Sequence, residues 1–296
     1  MKKTGFIAIV GRPNVGKSTL LNAMLGEKIA ITSRKPQTTR TRITGILTKG
    51  ENQFVFIDTP GMHKSMTKLG DYMNRQIGSA LADVDAAILV ADTDYLPGDV
   101  EKKLIQRFAK DSLPIILVLN KTDLSKPERI GQVISAYASL ADFASVIPIS
   151  AIKEDGISIV LDEAEKLLHE GEWIFDEDEL TDQPERVIAS EMIREKLLRL
   201  LDNEIPHGTA VSIEEFKEEG NLLRIRAEIY CERESHKRII IGKNGEMLKK
   251  ISSYAREDME KFFGTKVFLD VWVKVKENWR ESDFLINDLG FRKKDD

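Results

Sequence analysis

Short apolar runs and amphipathic segments alternate through the first half of the chain. Runs of four to six apolar residues predict buried strands, and apolar residues spaced three and four apart predict helices. The predicted strands are 6–10, 43–48, 54–57, 86–91, 114–119 and 146–149, and the predicted helices are 18–25, 70–81, 99–110, 132–140 and 156–170. Strands that alternate with helices in this way predict an α/β domain with a doubly wound sheet.

The second half of the chain has a different pattern. Residues 185–203 have helical spacing, and the segments 223–231 and 267–275 alternate apolar with polar residues. A period of two predicts strands with one buried face and one solvated face. A further strand precedes 223–231, and two helices lie between the alternating segments. The order helix–strand–strand–helix–helix–strand predicts an α+β domain.

These patterns predict how the chain divides into domains. We expect a first domain at 1–172 and a second at 185–280, followed by a C-terminal tail at 281–296. An acidic linker at 173–184 is expected to join the two domains. The apolar trio at 173–175 is expected to pack on one domain while the neighbouring acids stay solvated.

A candidate phosphate-binding loop follows the first strand. It fits the pattern G-x-x-x-x-G-K-[ST]. The loop consists of Gly11, Arg12, Pro13, Asn14, Val15, Gly16, Lys17 and Ser18, and Thr19 follows it in the helix. Its N–H groups and the helix N-terminus create a site for anionic phosphates. We expect Lys17 to bridge the β- and γ-phosphates and the Ser18 hydroxyl to bind Mg²⁺. The alternative, an ordinary glycine-rich turn, is disfavoured by the strand before the loop and the helix after it.

Two further segments supply candidate ligands for Mg²⁺ and the γ-phosphate. The polar, basic stretch 29–42 suits a switch loop. Either Thr38 or Thr39 offers its hydroxyl to Mg²⁺ and its N–H to the γ-phosphate, and we favour Thr39 although no spacing argument settles the choice. Strand 54–57 runs into Asp58, Thr59, Pro60 and Gly61. The acid can hold Mg²⁺ through water, and the glycine N–H can approach the γ-phosphate. The candidate catalytic residues are Lys17, Thr39 and Gly61, and the candidate metal ligands are Ser18, Thr39 and Asp58.

Residue 62 is a methionine, Met62, where many GTPases place the glutamine that orients the attacking water. A thioether cannot orient water, so hydrolysis must position it by other means. Asn14 suggests one such means, because related GTPases with asparagine at this point bind K⁺ beside the phosphates. The alternative is that Asn14 is only a turn residue, and the sequence does not decide between the two.

The segments after two later strands suit recognition of guanine. The strand 114–119 ends in Asn120, Lys121, Thr122 and Asp123. A carboxylate at Asp123 can accept hydrogen bonds from guanine N1–H and N2–H₂, which adenine lacks, so a buried Asp123 rejects ATP. Asn120 is expected to tie this loop to the phosphate loop, and the Lys121 stem to cover the base. Ser150 and Ala151 follow the last strand, where a backbone N–H can reach guanine O6.

In the second domain, two predicted helices meet at a Gly-x-x-Gly turn. KH modules clamp about four nucleotides of single-stranded RNA with such a loop. The candidate RNA-binding residues are Lys237, Arg238, Gly242, Lys243, Asn244, Gly245, Lys249 and Lys250. The glycines allow close approach of a sugar-phosphate backbone and the basic residues supply charge. The alternative is a purely structural helix–helix turn.

The charge of the chain is unevenly distributed. The net charge is −5, yet residues 1–50 carry ten Lys and Arg against one acid. Residues 151–220 carry seven Lys and Arg against twenty-one Asp and Glu. Residues 221–280 carry fourteen Lys and Arg against nine Asp and Glu. Such segregation is expected of a chain that binds a polyanion with only part of its surface.

Other features bear on the compartment. A single cysteine, Cys231, excludes an intramolecular disulfide and suits a reducing environment. It lies in an apolar series, so we expect it in the core rather than as a nucleophile. The N-terminus runs directly into the first strand, which leaves no room for a signal peptide. No apolar run approaches the ~18–20 residues of a membrane span. A cytoplasmic protein is expected.

Taken together, the motifs resemble those of the Era family, bacterial GTPases of small-ribosomal-subunit assembly. GRPNVGKS, QTTR, DTPG, NKTD and IIIGKNG occur in this order over essentially the full length. The resemblance implies GTP hydrolysis to GDP, with Mg²⁺, coupled to binding of the 3′ end of 16S rRNA and the 30S subunit by a type II KH domain. The family is also linked to peripheral association with the inner face of the cell membrane. We expect a monomer, although the sequence does not show the oligomeric state.

Two rival functions stay open from the sequence. One is a signalling GTPase whose C-terminal domain binds protein, which the basic Gly-x-x-Gly loop disfavours. The other is a GTPase that acts on a different RNA, such as the large subunit or tRNA. Crosslinking to total RNA, followed by sequencing, would distinguish these hypotheses by identifying the RNA that the protein binds.

Overall fold

The computed structural model describes residues 1–62, 67–81, 83–202 and 205–289. They form two compact units. The first comprises Met1–Ala30, Thr39–Lys64 and Met73–Asp182, and the second comprises Ile31–Thr38, Ser65–Tyr72 and Gln183–Asp296. Within the described ranges, no helix is long and apolar enough to cross a membrane.

A seven-stranded sheet lies at the centre of the described part of the first unit. Its strands are β1 (Lys3–Gly11), β2 (Ile43–Lys49), β3 (Asn52–Asp58), β4 (Ala86–Asp92), β5 (Ile115–Asn120), β6 (Ser145–Pro148) and β7 (His169–Glu170). The order is β2-β3-β1-β4-β5-β6, with β7 antiparallel to β1, β2 antiparallel to β3, and the other pairs parallel. All residues of β4 and β5 are buried, as expected of parallel strands covered on both faces.

Helices cover this sheet. They are α1 (Lys17–Leu25), α2 (Lys68–Ala80, in this unit from Met73 onward), α3 (Asp99–Lys110), α4 (Pro127–Ala138) and α5 (Ile157–Glu165). Buried helix residues such as Ile77, Leu104 and Val133 pack against β4 and β5. The predicted doubly wound α/β domain is therefore confirmed.

Two predicted helices of this unit had wrong limits. The helix predicted at 156–170 ends at Glu165, because Leu168 packs against the Gly5 backbone and His169–Glu170 pairs with β1. A Cβ on Gly5 would lie 2.9 Å from Leu168 Cδ2. The helix predicted at 132–140 begins earlier, at Pro127, whose fixed φ suits a first helical position.

The acidic segment predicted as a linker lies along the edge of the first sheet. The side chain of Gln53, which is fully buried, accepts from the N–H groups of Ile174 and Phe175 and donates to the Phe175 carbonyl. The Ile46 N–H donates to Leu180 O at 2.9 Å. This segment therefore covers the open edge of β2, which would otherwise expose unpaired backbone groups. The compact units divide after Asp182, while the domain limits stated above stay predictions.

The second unit contains α6 (Glu185–Leu200), β8 (Ala210–Glu219), β9 (Leu222–Cys231), α7 (Glu234–Ile241), α8 (Glu246–Phe263) and β10 (Lys266–Val275). Its sheet order is β10-β9-β8, with β10 parallel and β8 antiparallel to β9. Apolar residues of α6 and α8 pack on one face of this sheet, together with the fully buried Cys231. The predicted α+β order and the core position of Cys231 are confirmed.

Part of the predicted tail is ordered. A short helix, α9, spans Asp283–Asp288, and just before the tail the buried Trp279 donates from Nε1 to Gly208 O at 3.0 Å. Residues 290–296 of the tail, and Asn203 at the end of the predicted helix 185–203, lie outside the described residues.

Candidate functional site

The phosphate loop connects the end of β1 to the start of α1, as predicted. Gly11 has φ 149° and Gly16 has φ 100°. A Cβ on Gly11 would lie 2.2 Å from Val90 O, and one on Gly16 would lie 2.2 Å from Asn120 Nδ2. Both the backbone angle and the close neighbour therefore require glycine at these two positions.

Lys17 points into this loop. Its side chain is almost fully buried, and Nζ donates to the carbonyl oxygens of Arg12 at 3.0 Å and Gly11 at 3.3 Å. Burial lowers the pKa of Lys17 to about 8. An ammonium group held by two carbonyls in a loop of backbone N–H groups is placed to meet phosphate oxygens.

Three oxygen-bearing side chains converge next to Lys17. Ser18 Oγ lies 2.5 Å from Asp58 Oδ2 and 2.9 Å from Thr39 Oγ1. Asp58 is fully buried, burial raises its pKa to about 6, and its Oδ1 has no hydrogen-bond partner among the described residues. Two hydroxyls and a carboxylate with an unused oxygen are the hard donors that Mg²⁺ prefers, so these residues fit a magnesium ion.

Thr38 lies elsewhere. Its hydroxyl donates to Lys35 O at 2.7 Å and lies 2.9 Å from Ser33 Oγ. Of the two threonines that the sequence left open, the structure brings Thr39 to Ser18 and Asp58.

The segment after Asp58 packs directly on the phosphate loop. A Cβ on Gly61 would lie 2.6 Å from Pro13 Cα, so only glycine allows this approach. The Thr59 hydroxyl donates to Ile9 O at 2.9 Å and thereby holds the strand end rather than pointing to a ligand. The Met62 N–H donates to Gly11 O at 3.4 Å.

The Met62 side chain packs on the apolar core of the first unit. It lines a cavity of about 300 Å³ between α2 and α3, whose other lining residues are Asn74, Ile77, Gly78, Leu81, Lys103, Leu104 and Arg107. No polar atom of this side chain is available to orient water, in agreement with the prediction from its chemistry.

At the other end of the sheet edge, Asn120 joins three loops. Its Nδ2 donates to Val15 O at 2.8 Å, which confirms the predicted tie to the phosphate loop. Its Oδ1 accepts from the N–H groups of Lys121 and Ala151 at 2.8 and 2.9 Å. The Ala151 N–H, one of the two backbone donors predicted at this point for guanine O6, is thus directed to Asn120 in this structure.

Residues around Asp123 hold the candidate base-reading carboxylate. The Ser150 hydroxyl donates to Asp123 Oδ1 at 2.7 Å, and the Thr122 hydroxyl donates to Ile149 O at 2.8 Å. Lys121 has φ 66°, and its Nζ lies 3.0 Å from Asp92 Oδ2. The sequence indicated Ser150 for its backbone, and the structure adds a role for its hydroxyl.

Two acidic partners of this site were missed. Glu101 pairs with Arg12, and Asp92 pairs with Lys121. Neither acid belongs to a motif, and each lies far along the chain from its partner. An acid in the first turn of α3 is a general helix signal, and its long-range partner depends on the order of strands in the sheet.

The Gly-x-x-Gly turn in the second unit joins α7 to α8. Gly242, Asn244 and Gly245 have φ values of 75°, 52° and 79°. A Cβ on Gly242 would lie 2.7 Å from Met247 Cβ, whereas one on Gly245 would meet nothing within 4 Å. Gly242 is therefore required by packing, and Gly245 leaves an open surface beside the turn.

Most of the predicted basic residues around this turn face solvent. Arg238, Lys243, Lys249 and Lys250 are exposed, and Lys237 is partly buried. Lys250 Nζ lies 5.8 Å from the centre of the Tyr254 ring. In the part of the chain that the structure describes, Lys243 and Lys249 form no ion pair. Uncompensated cations next to an accessible backbone turn suit a phosphate-bearing ligand.

Comparisons with known families agree with both halves of the chain. Residues 6–121 match the family described as 50S ribosome-binding GTPase, and residues 204–280 match the KH domain. GTPase Era of Ruminiclostridium cellulolyticum is 50% identical over 291 residues, which cover 98% of each chain. GTPase Era of Clostridium kluyveri is 48% identical over 293 residues, covering 99% of this chain and 100% of the relative.

Two solved structures are similar over nearly the whole chain. One is Era in complex with MgGDPNP and nucleotides 1506–1542 of 16S ribosomal RNA, with 36% identity, a TM-score of 0.94 and coverage of 99% and 100%. The other is an Aquifex aeolicus Era variant bound to GDP·AlF4⁻, with 37% identity, a TM-score of 0.93 and coverage of 98% and 100%. The chain belongs to the Era family of KH-domain GTPases, enzymes that hydrolyse GTP to GDP and phosphate.

Proposed function

We propose that this GTPase binds the 3′ end of 16S rRNA through its KH domain and assists assembly of the 30S subunit. The observation that carries the proposal is the Gly-x-x-Gly turn, with its open side at Gly245 and its exposed Lys243 and Lys249. A relative of the same length and fold was crystallised with nucleotides 1506–1542 of that RNA. The basic excess in 221–280 supports the same surface.

We also propose how the site handles the nucleotide. Ser18, Thr39 and Asp58 hold Mg²⁺, whose charge offsets that of the phosphates, and Lys17 bridges the β- and γ-phosphates. The Gly61 N–H approaches the γ-phosphate, and Asp123 accepts from guanine. Asn14, whose φ of 63° turns the loop, supplies an oxygen for K⁺ beside the phosphates. In this proposal K⁺ adds positive charge beside the phosphates to that of Lys17.

The proposed membrane association rests on the family resemblance, and the proposed compartment rests on the composition of the chain. The proposal is a cytoplasmic monomer with peripheral association with the inner face of the cell membrane. The composition of the chain and its single cysteine are compatible with the cytoplasm.

The decisive experiment crosslinks the full-length protein to total cellular RNA and sequences the bound fragments. We expect enrichment at the 3′ end of 16S rRNA, and loss of that enrichment in the Gly245→Asp variant. Enrichment of large-subunit rRNA or tRNA instead would show that the protein acts on a different RNA. RNA recovery no higher than from a non-binding control would favour a partner protein as the ligand of the KH domain.

A further inference from the structure

An ion pair anchors the phosphate loop to the start of α3. Arg12 Nη2 donates to Glu101 Oε2 at 2.7 Å, and Arg12 Nε lies 2.5 Å from Glu101 Oε1. The Glu101 side chain is only 3% exposed. The hydrogen bond to Glu101 raises the pKa of Arg12 above its ordinary range. The Nη2–Oε2 contact is a charge-assisted hydrogen bond to a buried carboxylate, and the Nε–Oε1 contact is a close ion pair without hydrogen-bond geometry.

The backbone around Glu101 is shaped for this pair. The Gly98 N–H, directly before α3, donates to Glu101 Oε2 at 3.0 Å and so also holds the carboxylate. A Cβ on Gly98 would lie 2.2 Å from Arg12 Nη2, and any larger residue there would displace the guanidinium. The arginine therefore inserts between the phosphate loop and the first turn of α3.

The loop between β4 and α3 is also tied to the guanine-binding end. Asp92 Oδ2 lies 3.0 Å from Lys121 Nζ, and the Thr93 hydroxyl lies 2.5 Å from Ser125 Oγ. Arg129 donates to the carbonyl oxygens of Thr93 and Asp94, each at 2.9 Å. The segment from Asp92 to Glu101 thus contacts both ends of the nucleotide site.

The anchored part of the phosphate loop faces the hydrolysis machinery. Arg12 is followed by Pro13, which lies against Gly61, and by Asn14. The inner part of the loop has other supports, since Asn120 holds Val15 and α1 begins at Lys17. The outer part has the Gly61 contact on one side and the Arg12–Glu101 pair on the other. A shift of about 1 Å in such a segment can cost a hundredfold in rate.

We propose that Arg12 and Glu101 are positioning residues for GTP hydrolysis, and that their ion pair holds the outer phosphate loop against Gly61. The pair acts through the backbone of residues 12–14 and does not touch the base. Its loss slows the chemical step more than it weakens nucleotide binding, because Asp123 keeps its bond from Ser150 and Lys17 keeps its bond to the Gly11 carbonyl.

The test is a double-mutant cycle with Arg12→Met, Glu101→Gln and the double variant in the full-length protein. The double variant removes both charges together, so no uncompensated charge is left buried and folding is preserved. Steady-state GTP hydrolysis gives kcat and KM, and thermal unfolding monitors the fold. Asp111→Asn is the matched control, since it removes an exposed pair with Arg107 (Nε–Oδ2 3.9 Å) at the other end of the same helix.

We expect kcat to fall between about tenfold and a hundredfold in each variant, with KM changed less than about threefold. The effects should not add in the double variant, because both substitutions break one contact. The control should hydrolyse GTP at the native rate. A folded double variant with kcat within about twofold of native would overturn the proposal. So would a KM raised tenfold at unchanged kcat, since that places the pair in uniform substrate binding.

Discussion

At the scale of single residues, the phosphate end of the site contains two buried opposite charges. Burial lowers the pKa of Lys17 to about 8 and raises that of Asp58 to about 6. Each charge is costly to remove from water, and each partly offsets the cost of the other. The folded chain therefore holds an ammonium group that can meet a phosphate and a carboxylate that can meet a divalent cation.

The candidate base-reading carboxylate, Asp123, leads to a prediction on base specificity. Asp123→Asn should weaken GTP binding and shift preference to xanthosine triphosphate. The amide N–H₂ then meets the 2-amino group of guanine, whereas the 2-oxo group of xanthine accepts from it. One mismatched buried polar group costs about 1–3 kcal/mol. The shift is measured by letting each triphosphate compete with a fluorescent GDP for the protein.

The native protein, which should prefer GTP, is the control for that competition. Loss of all nucleotide binding with no gain for xanthosine triphosphate would mean that Asp123 supports the loop structure and does not read the base.

Asn14 leads to a prediction on monovalent cations. GTP hydrolysis should be faster in KCl than in NaCl at equal ionic strength, because an ion at Asn14 adds positive charge beside the phosphates. Asn14→Gly should abolish the difference, since glycine tolerates the φ of 63° but removes the side-chain oxygen. Turnover in the two salts measures the effect. Equal native rates in both salts would eliminate the K⁺ site.

At the scale of elements, the turn between α7 and α8 makes the RNA proposal testable with a matched pair of glycines. Gly245 and Gly264 flank the same helix, with φ values of 79° and 65°, and a Cβ on either would meet nothing within 4 Å. The helix between them has 18 residues and is about 27 Å long at 1.5 Å per residue. A substitution at either position carries a similar backbone strain, but only Gly245 lies in the proposed RNA-binding turn.

Gly245→Asp should abolish RNA binding, because its carboxylate repels phosphate, and Gly264→Asp should leave RNA affinity nearly unchanged. Lys243→Ala should weaken binding and lower the salt slope by about 0.7, the loss of one phosphate contact on a single strand. RNA affinity across a KCl series provides both measurements. Native affinity in Gly245→Asp would refute the KH assignment, and equal losses in both aspartate variants would assign the effect to folding.

At the scale of the whole molecule, charge and function are distributed between two compact units. The phosphate loop, Asp58 and the Asn120–Asp123 segment lie in the first unit, and the Gly-x-x-Gly turn lies in the second. GTP affinity should therefore survive the Gly245→Asp substitution, measured in the same preparations. The chain passes from the second unit to the first between Thr38 and Thr39, so the candidate switch loop is divided between them.

The order of the elements and the motifs of the candidate site could be predicted from the sequence alone. Apolar periodicity reports which residues each strand or helix buries, and phosphate, guanine and RNA-binding motifs are local, because their geometry depends on glycines and polar groups a few residues apart. This locality is why Lys17, Asp58, Asp123 and the turn at Gly242–Gly245 could be predicted.

The contacts between distant segments could not be predicted without the tertiary structure. Thr39 rather than Thr38 meets Ser18 because of the path of the loop from Ile31 to Ile43, which has no periodicity to indicate it. The pairing of Arg12 with Glu101 requires β4 to lie beside β1, and the end of α5 requires β7 to pair with β1. Such contacts depend on strand order and burial, and a linear pattern of residues contains neither.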